Sequence, residues 1–166
     1  MQLILFRHAH KGLTPATDPN LSAPGFKQAE KLIELVIQNK LPVPTKSWVS
    51  EKIRTRQTIE PVSQKYQAEI ETSDLLNLRA YTENAEQFRL RIKKMLTMMA
   101  DIAIKKPNET HYLCSHYDWV EEALIFIPSS TDLTTYEFAS WAPAQYIHFE
   151  IADEIWTVKS KGVCPA

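Results

Sequence analysis

The chain has 166 residues, which suits a single domain spanning 1–166 with a sizeable core. Its 44% hydrophobic and 23% charged residues are those of an ordinary globular protein and argue against disorder. A net charge of −1 offers no electrostatic grip on nucleic acid or an acidic membrane surface, so neither is expected as a partner.

The apolar run 3–6 predicts a strand that ends at Arg7-His8. Residues 13–24 hold Pro15, Asp18, Pro19, Asn20 and Pro24 and read as a loop. Ala29, Leu32, Ile33, Val36 and Ile37 then recur at helical spacing, an amphipathic helix of about three turns. Residues 48–50 read as a very short buried strand. A helix is expected over 54–66, interrupted near Pro61, which fits a helix start better than its middle. Residues 68–71 form a weaker strand candidate. Asn84 with Gln87 resembles a capping box ahead of Phe88, Ile92, Met95, Met99 and Ile102. A strand over 111–115 delivers His116, and Trp119, Val120, Ala123, Leu124 and Ile127 mark the helix after it. Strands at 145–151 and 154–159, joined by a turn at Asp153, close the chain. The alternation predicts an α/β fold, with a mostly parallel central sheet and helices on both faces.

No apolar run approaches the roughly 18 residues of a membrane span. The first apolar run is cut short by Arg7 and His8, so no signal peptide is expected. Cys114 and Cys164 lack CxxC spacing and suggest neither a disulfide framework nor a thiolate zinc site; a cytoplasmic location fits.

Chemistry concentrates at strand ends, where ligands of open α/β sheets bind. His8 and His116 each follow an apolar strand and would share one crevice if the strands are neighbours. One imidazole could then attack a phosphorus while the other stabilises the phosphoryl oxygens. Arg7 adds a planar, bidentate phosphate binder. The segment 50–58 sets Arg54 at a helix N-terminus, where N–H groups and the dipole favour anions. Arg56, two positions on, reads as a solvated helix residue. Leu21-Ser22-x-x-Gly25-x-x-Gln28-Ala29 supplies an N-cap at Ser22 and a close backbone approach at Gly25.

Together these four ordered motifs resemble the histidine phosphatase superfamily, phosphoglycerate-mutase-like branch, across residues 3 to about 127. The resemblance implies a three-layer α/β/α sandwich with a phosphoglycerate-mutase-like sheet. It implies that His8 is the phosphoryl-accepting nucleophile, and that Arg7, Arg54 and His116 bind the transferred group. Neutral His8 would attack while Arg7, Arg54 and a protonated His116 neutralise the phosphoryl oxygens; water would then release phosphate. No metal and no cofactor is needed, since cationic side chains take that part. Asn20, Ser22 and His10 are the candidate substrate contacts around this centre.

Two departures from the family pattern matter. Ala9 stands where the family has Gly and is expected to crowd the pocket floor. Asn77 stands where mutase-like members carry an acidic Glu, and Asn cannot protonate a leaving group. An alkoxide needs such a proton, whereas imidazole leaves far more readily, its conjugate acid having a pKa of about 6.5. The chain is therefore most similar to the SixA-type phosphohistidine phosphatases, which are compact and lack that acid. This implies a phosphorylated protein as substrate, with a small phosphorylated metabolite as the alternative, and a monomer. Candidate acids are Asp18 in the loop after the nucleophile and Asp118 two residues past His116; Asp74 and Glu83 rank lower.

Three rival readings use the same residues. His8, His10 and His116 could ligate a metal. A small-molecule phosphomonoesterase would recruit one of the carboxylates as its acid. A pseudo-phosphatase would bind phospho-ligands without turnover. Trp141, in a Pro-flanked loop, is a candidate contact for a partner or the active-site mouth.

Overall fold

The computed structural model describes residues 1–166. Its centre is a six-stranded sheet of β1 (Gln2–Arg7), β2 (Lys46–Val49), β3 (Glu69–Thr72), β4 (Thr110–Ser115), β5 (Gln145–Ala152) and β6 (Ile155–Val163). The strand order is β3-β2-β4-β1-β5-β6. The first four positions are parallel, and β5 and β6 are antiparallel. Helices α1 (Ala23–Ile37), α2 (Ile53–Tyr66), α3 (Ala85–Lys105) and α4 (Tyr117–Phe126) provide the outer layers.

Strand alternation explains the layers. Leu3 and Leu5 belong to the cluster with Phe88, Ile92 and Met95 of α3 and Trp119 and Val120 of α4. Ile4 and Phe6 face the other way, into the cluster with Ala29 and Leu32 of α1 and Ile59 and Val62 of α2. Covered on both faces, β1 carries the continuous apolar run 3–6 and β4 is buried along its whole length, as parallel strands in three-layer folds are.

The chain leaves β1 through α1 to reach β2 and β3, then returns by α3 to insert β4 between β2 and β1. Connections therefore diverge at the carboxyl ends of β1 and β4. That divergence opens the crevice where α/β sheets bind ligands.

Helix boundaries follow local chemistry. The Ser22 side chain caps α1 by accepting the Gly25 N–H, and Asn84 and Gln87 form the expected capping box on α3. The helix from Ile53 does not break at Pro61, contrary to the sequence expectation. Ile59, Val62 and Ser63 on either side of the proline are fully buried, and their packing outweighs the one lost backbone hydrogen bond. The hairpin turn uses Asp153 and Glu154, both with left-handed φ of 50° and 66°. No helix is long and apolar enough to cross a membrane.

Candidate active site

Pairing of β1 with β4 in register, Arg7 opposite Ser115, brings the two strand ends together. His8 and His116 follow directly, and their rings meet edge to face with centroids 5.3 Å apart. The Arg54 guanidinium, carried by the first turn of α2, sits between them. Its Nε donates to His8 Nε2 at 3.2 Å, and its Nη2 donates to His116 Nδ1 at 3.2 Å. His8, Arg54 and His116 are only 5%, 6% and 3% exposed, so the trio is shielded from bulk water.

Guanidinium nitrogens only donate, and this settles both tautomers. His8 accepts at Nε2, so its proton is on Nδ1, donated to the Ala9 carbonyl at 2.7 Å. His116 accepts at Nδ1, so Nε2–H donates to Ser50 Oγ at 2.8 Å. Ser50 Oγ in turn reaches Thr55 Oγ1 at 3.0 Å, and Thr55 donates to the Lys52 carbonyl at 2.8 Å. Burial, with Arg54 and Arg7 nearby, pushes His8 down to about 4. Burial, with His8 and Arg54 beside it, pushes His116 down to about 2. Both rings are neutral at pH 7. In the free site a buried imidazole against a guanidinium resists a second positive charge, so the protonated His116 expected during phosphoryl transfer would gain its proton only with the anion bound.

Arg7 lies on the α4 side of the sheet. One Nη donates to the Trp141 carbonyl, the guanidinium sits 5.2 Å over the Tyr117 ring, and the buried Nε has no partner. Trp141 is 1% exposed, so it offers no surface to a partner, contrary to expectation; its contribution is a carbonyl that anchors Arg7. Ala9 is fully buried in the α1/α2 cluster and gives its N–H to Thr58 Oγ1 at 2.9 Å, so its methyl group packs into core rather than crowding the pocket floor.

The loop after β1 is sewn to α2. Asp18 Oδ2 accepts the Ile53 N–H at 3.0 Å and Oδ1 meets Arg54 Nη1 at 3.4 Å. Gln57 accepts the Leu21 N–H and donates to Asn20 Oδ1. Asn20 is thus held within this seam. Gln28 accepts the His10 N–H at 2.8 Å, and a Cβ added at Gly25 would stand 2.0 Å from the His10 carbonyl. The Leu21–Gln28 motif is a brace that presses α1 onto the His10 backbone, close to His8. Ser22 is committed to capping α1 and to His10 Nδ1 at 2.7 Å, and the His10 ring is exposed at the rim. The three histidines do not converge, and no group of three His, Cys, Asp or Glu side chains is arranged to hold a metal ion.

Asp118 stands apart from the trio's hydrogen bonds. Its oxygens accept the Arg79 and Trp119 N–H groups, at 2.8 Å each, which pins the loop after Asn77 to the first turn of α4. Asn77 binds Glu51 twice: Oδ1 accepts the Glu51 N–H and Nδ2 donates to Glu51 Oε2. The residues that follow Ser50 and Leu76 line a cavity of about 910 Å³, whose walls include Glu51, Lys52, Asn77, Arg79 and Glu83. Sequence reasoning missed Thr58 and Gln57 as supports; the only signal was their place in the segment that carries Arg54.

Residues 3–82 match the model of the histidine phosphatase superfamily (branch 1). The fold resembles the protein histidine phosphatase SixA, solved with tungstate, at 13% identity and TM-score 0.76, covering 98% of this chain and 97% of that one. It resembles the phosphoserine phosphatase of Entamoeba histolytica, solved with 3-phosphoglyceric acid, at 14% identity and TM-score 0.71, covering 97% and 96%. It also resembles an Escherichia coli K-12 protein proposed to be an alpha-ribazole-5'-P phosphatase, at 15% identity and TM-score 0.75, covering 100% and 97%. No curated protein matches in sequence. The match covers the first three motifs and the shared fold extends through the fourth, so the chain resembles the histidine phosphatase superfamily.

Proposed function

We propose that the protein is a phosphohistidine phosphatase working through a phosphorylated His8, without a metal. The observation that carries this reading is the Arg54 guanidinium shared between His8 Nε2 and His116 Nδ1. It joins nucleophile and phosphoryl-binding groups in one cluster. His8 is neutral, with its Nδ1 proton held by the Ala9 carbonyl, so the lone pair of Nε2 is the nucleophile.

In the resting site Arg54 occupies that lone pair. An incoming phosphoryl group offers three anionic oxygens, better acceptors for Arg54 than a neutral imidazole. Arg54 and the unpartnered Nε of Arg7 turn to those oxygens, and Nε2 is released for in-line attack. The bound anion also stabilises a proton on His116, which then supplies the third cation. The substrate's bond to phosphorus breaks as the His8–phosphorus bond forms. Water attacks the phosphohistidine and phosphate leaves. Positioning and electrostatics carry most of phosphoryl transfer, and this cluster supplies both.

Asn77 at the place of the family's acid, together with the likeness to SixA, favours a phosphoramidate over an alkyl ester. The neighbouring 910 Å³ cavity, lined by both acidic and basic groups, favours a second reading: a monoester of a small charged metabolite.

The test compares a phosphohistidine peptide, p-nitrophenyl phosphate and an alkyl phosphate, with EDTA present, on wild type and His8→Ala. Preference for the peptide, with an acid-labile, alkali-stable phosphoenzyme that is lost in the mutant, is the expected result. Faster alkyl ester turnover would move the assignment to the metabolite reading. Tungstate should compete with substrate in either case.

A further inference from the structure

This inference rests on the phosphohistidine reading and concerns its leaving group. Glu51 follows Ser50, whose hydroxyl accepts from His116. Asn77 follows Leu76, whose carbonyl accepts from Ser115 Oγ at 2.7 Å, one residue before His116. Both residues therefore sit on segments tied to His116 and its neighbour Ser115, and both line the 910 Å³ cavity. Asn77 grips Glu51 by backbone and side chain, which leaves Glu51 Oε1 without any hydrogen bond inside the protein. An exposed glutamate is normally free to wander; this one is held in place with one oxygen open.

The other carboxylates nearby are occupied. Asp18 and Asp118 have both oxygens on N–H donors. Glu83 is locked to Arg91 through both oxygens. Asp74 opens the short 3-10 turn before Asn77, exposed and without a tie to either strand that carries the histidines.

In-line attack by His8 sends the leaving nitrogen away from His8, outward to the cavity. We propose that Glu51 receives the leaving imidazole of a phosphohistidine there, Oε1 accepting a hydrogen bond from the ring nitrogen distal to phosphorus. That contact favours the ring form protonated at the distal nitrogen. As His8 Nε2 bonds to phosphorus, the substrate's nitrogen–phosphorus bond breaks and its electron pair stays on the ring. The distal proton stays too, so neutral imidazole departs and Glu51 remains a carboxylate. Without that proton the leaving group would be imidazolate, a far stronger base. Asn77 is then a replacement with a purpose: it gives up a proton donor and positions a carboxylate suited to a leaving group that brings its own proton.

The experiment measures kcat/KM for a phosphohistidine peptide and for p-nitrophenyl phosphate in wild type, Glu51→Gln and Asn77→Ala. The glutamine is isosteric and the site is at the surface, so both variants should fold. The peptide-to-ester ratio should fall about 10- to 100-fold in Glu51→Gln, the loss of one hydrogen bond to a charged group. It should fall less in Asn77→Ala, where the carboxylate survives but is no longer held. An unchanged ratio in Glu51→Gln, whether both activities persist or drop together, overturns the proposal. A wild type that cleaves p-nitrophenyl phosphate through His8 but not the peptide overturns the phosphohistidine reading, and this inference with it.

Discussion

The two ends of the crevice are built on opposite principles. At the proposed phosphoryl end, His8, Arg54 and His116 are almost fully buried and each hydrogen-bonds to another member. At the proposed leaving-group end, Glu51 and Arg79 are exposed, and acidic and basic side chains together line an open cavity. The first arrangement suits one invariant group, since buried and preoriented donors need little reorganisation. The second suits a variable group whose main demand is room. Burial also sets the chemistry: it keeps both imidazoles neutral, while exposed Glu51 keeps one carboxylate oxygen open.

Removing the proposed nucleophile breaks the comparison most severely. His8→Ala should lose at least ~10³-fold in kcat on every substrate and form no phosphoenzyme. Trapping with a labelled substrate would check both statements.

Burial at the phosphoryl end should also appear as acid sensitivity. The folded-state value of His8, about 4, lies below its ordinary 6.5. Below pH 6.5 the unfolded chain takes up a proton that the folded one refuses, so stability falls as pH drops from 6.5 through 4. His116, at about 2, extends the loss to lower pH. The loss from His8 is on the order of 3 kcal/mol. Denaturant titrations at pH 7, 5.5 and 4 should show a shallower decline in His8→Ala than in wild type.

Arg54→Lys keeps the charge but cannot reach two imidazoles and Asp18 from one planar fork. A loss of about 10²-fold in kcat/KM, equal for peptide and ester, is expected. Steady-state kinetics on both substrates decide it, since a leaving-group effect would split them.

Asp18→Asn should weaken the seam that fixes Arg54 and cost about tenfold in kcat, again equally on both substrates. A selective loss on the alkyl ester would instead make Asp18 the acid considered from sequence. The smallest effect is away from the crevice. Asn84→Ala removes the α3 cap and should cost about 1 kcal/mol in denaturant unfolding, with turnover of p-nitrophenyl phosphate unchanged.

Most of the fold was legible because its signals are local. The apolar run of β1, the Asn84–Gln87 box and the helical spacing along α3 are set by neighbours within a few residues. Pro61 misled because helix continuity there depends on Ile59 and Val62 packing against the sheet, a long-range effect. Trp141 misled likewise: its loop looks exposed, but the side chain is buried and its carbonyl serves Arg7.

By itself the sequence determined which chemical groups the protein would assemble: two strand-end histidines, Arg7, and an arginine at a helix start, in the order of a known family. Those are properties of residue type and spacing. Only the tertiary structure decided their protonation, their partners and their division of labour. His116 is neutral because Arg54 and His8 crowd it in a buried crevice, and Asp18 braces Arg54 because the loop after β1 folds onto α2. Asn77 holds Glu51 because β2 and β3 end side by side. Each depends on residues far apart in the chain, and local spacing carries no record of such encounters.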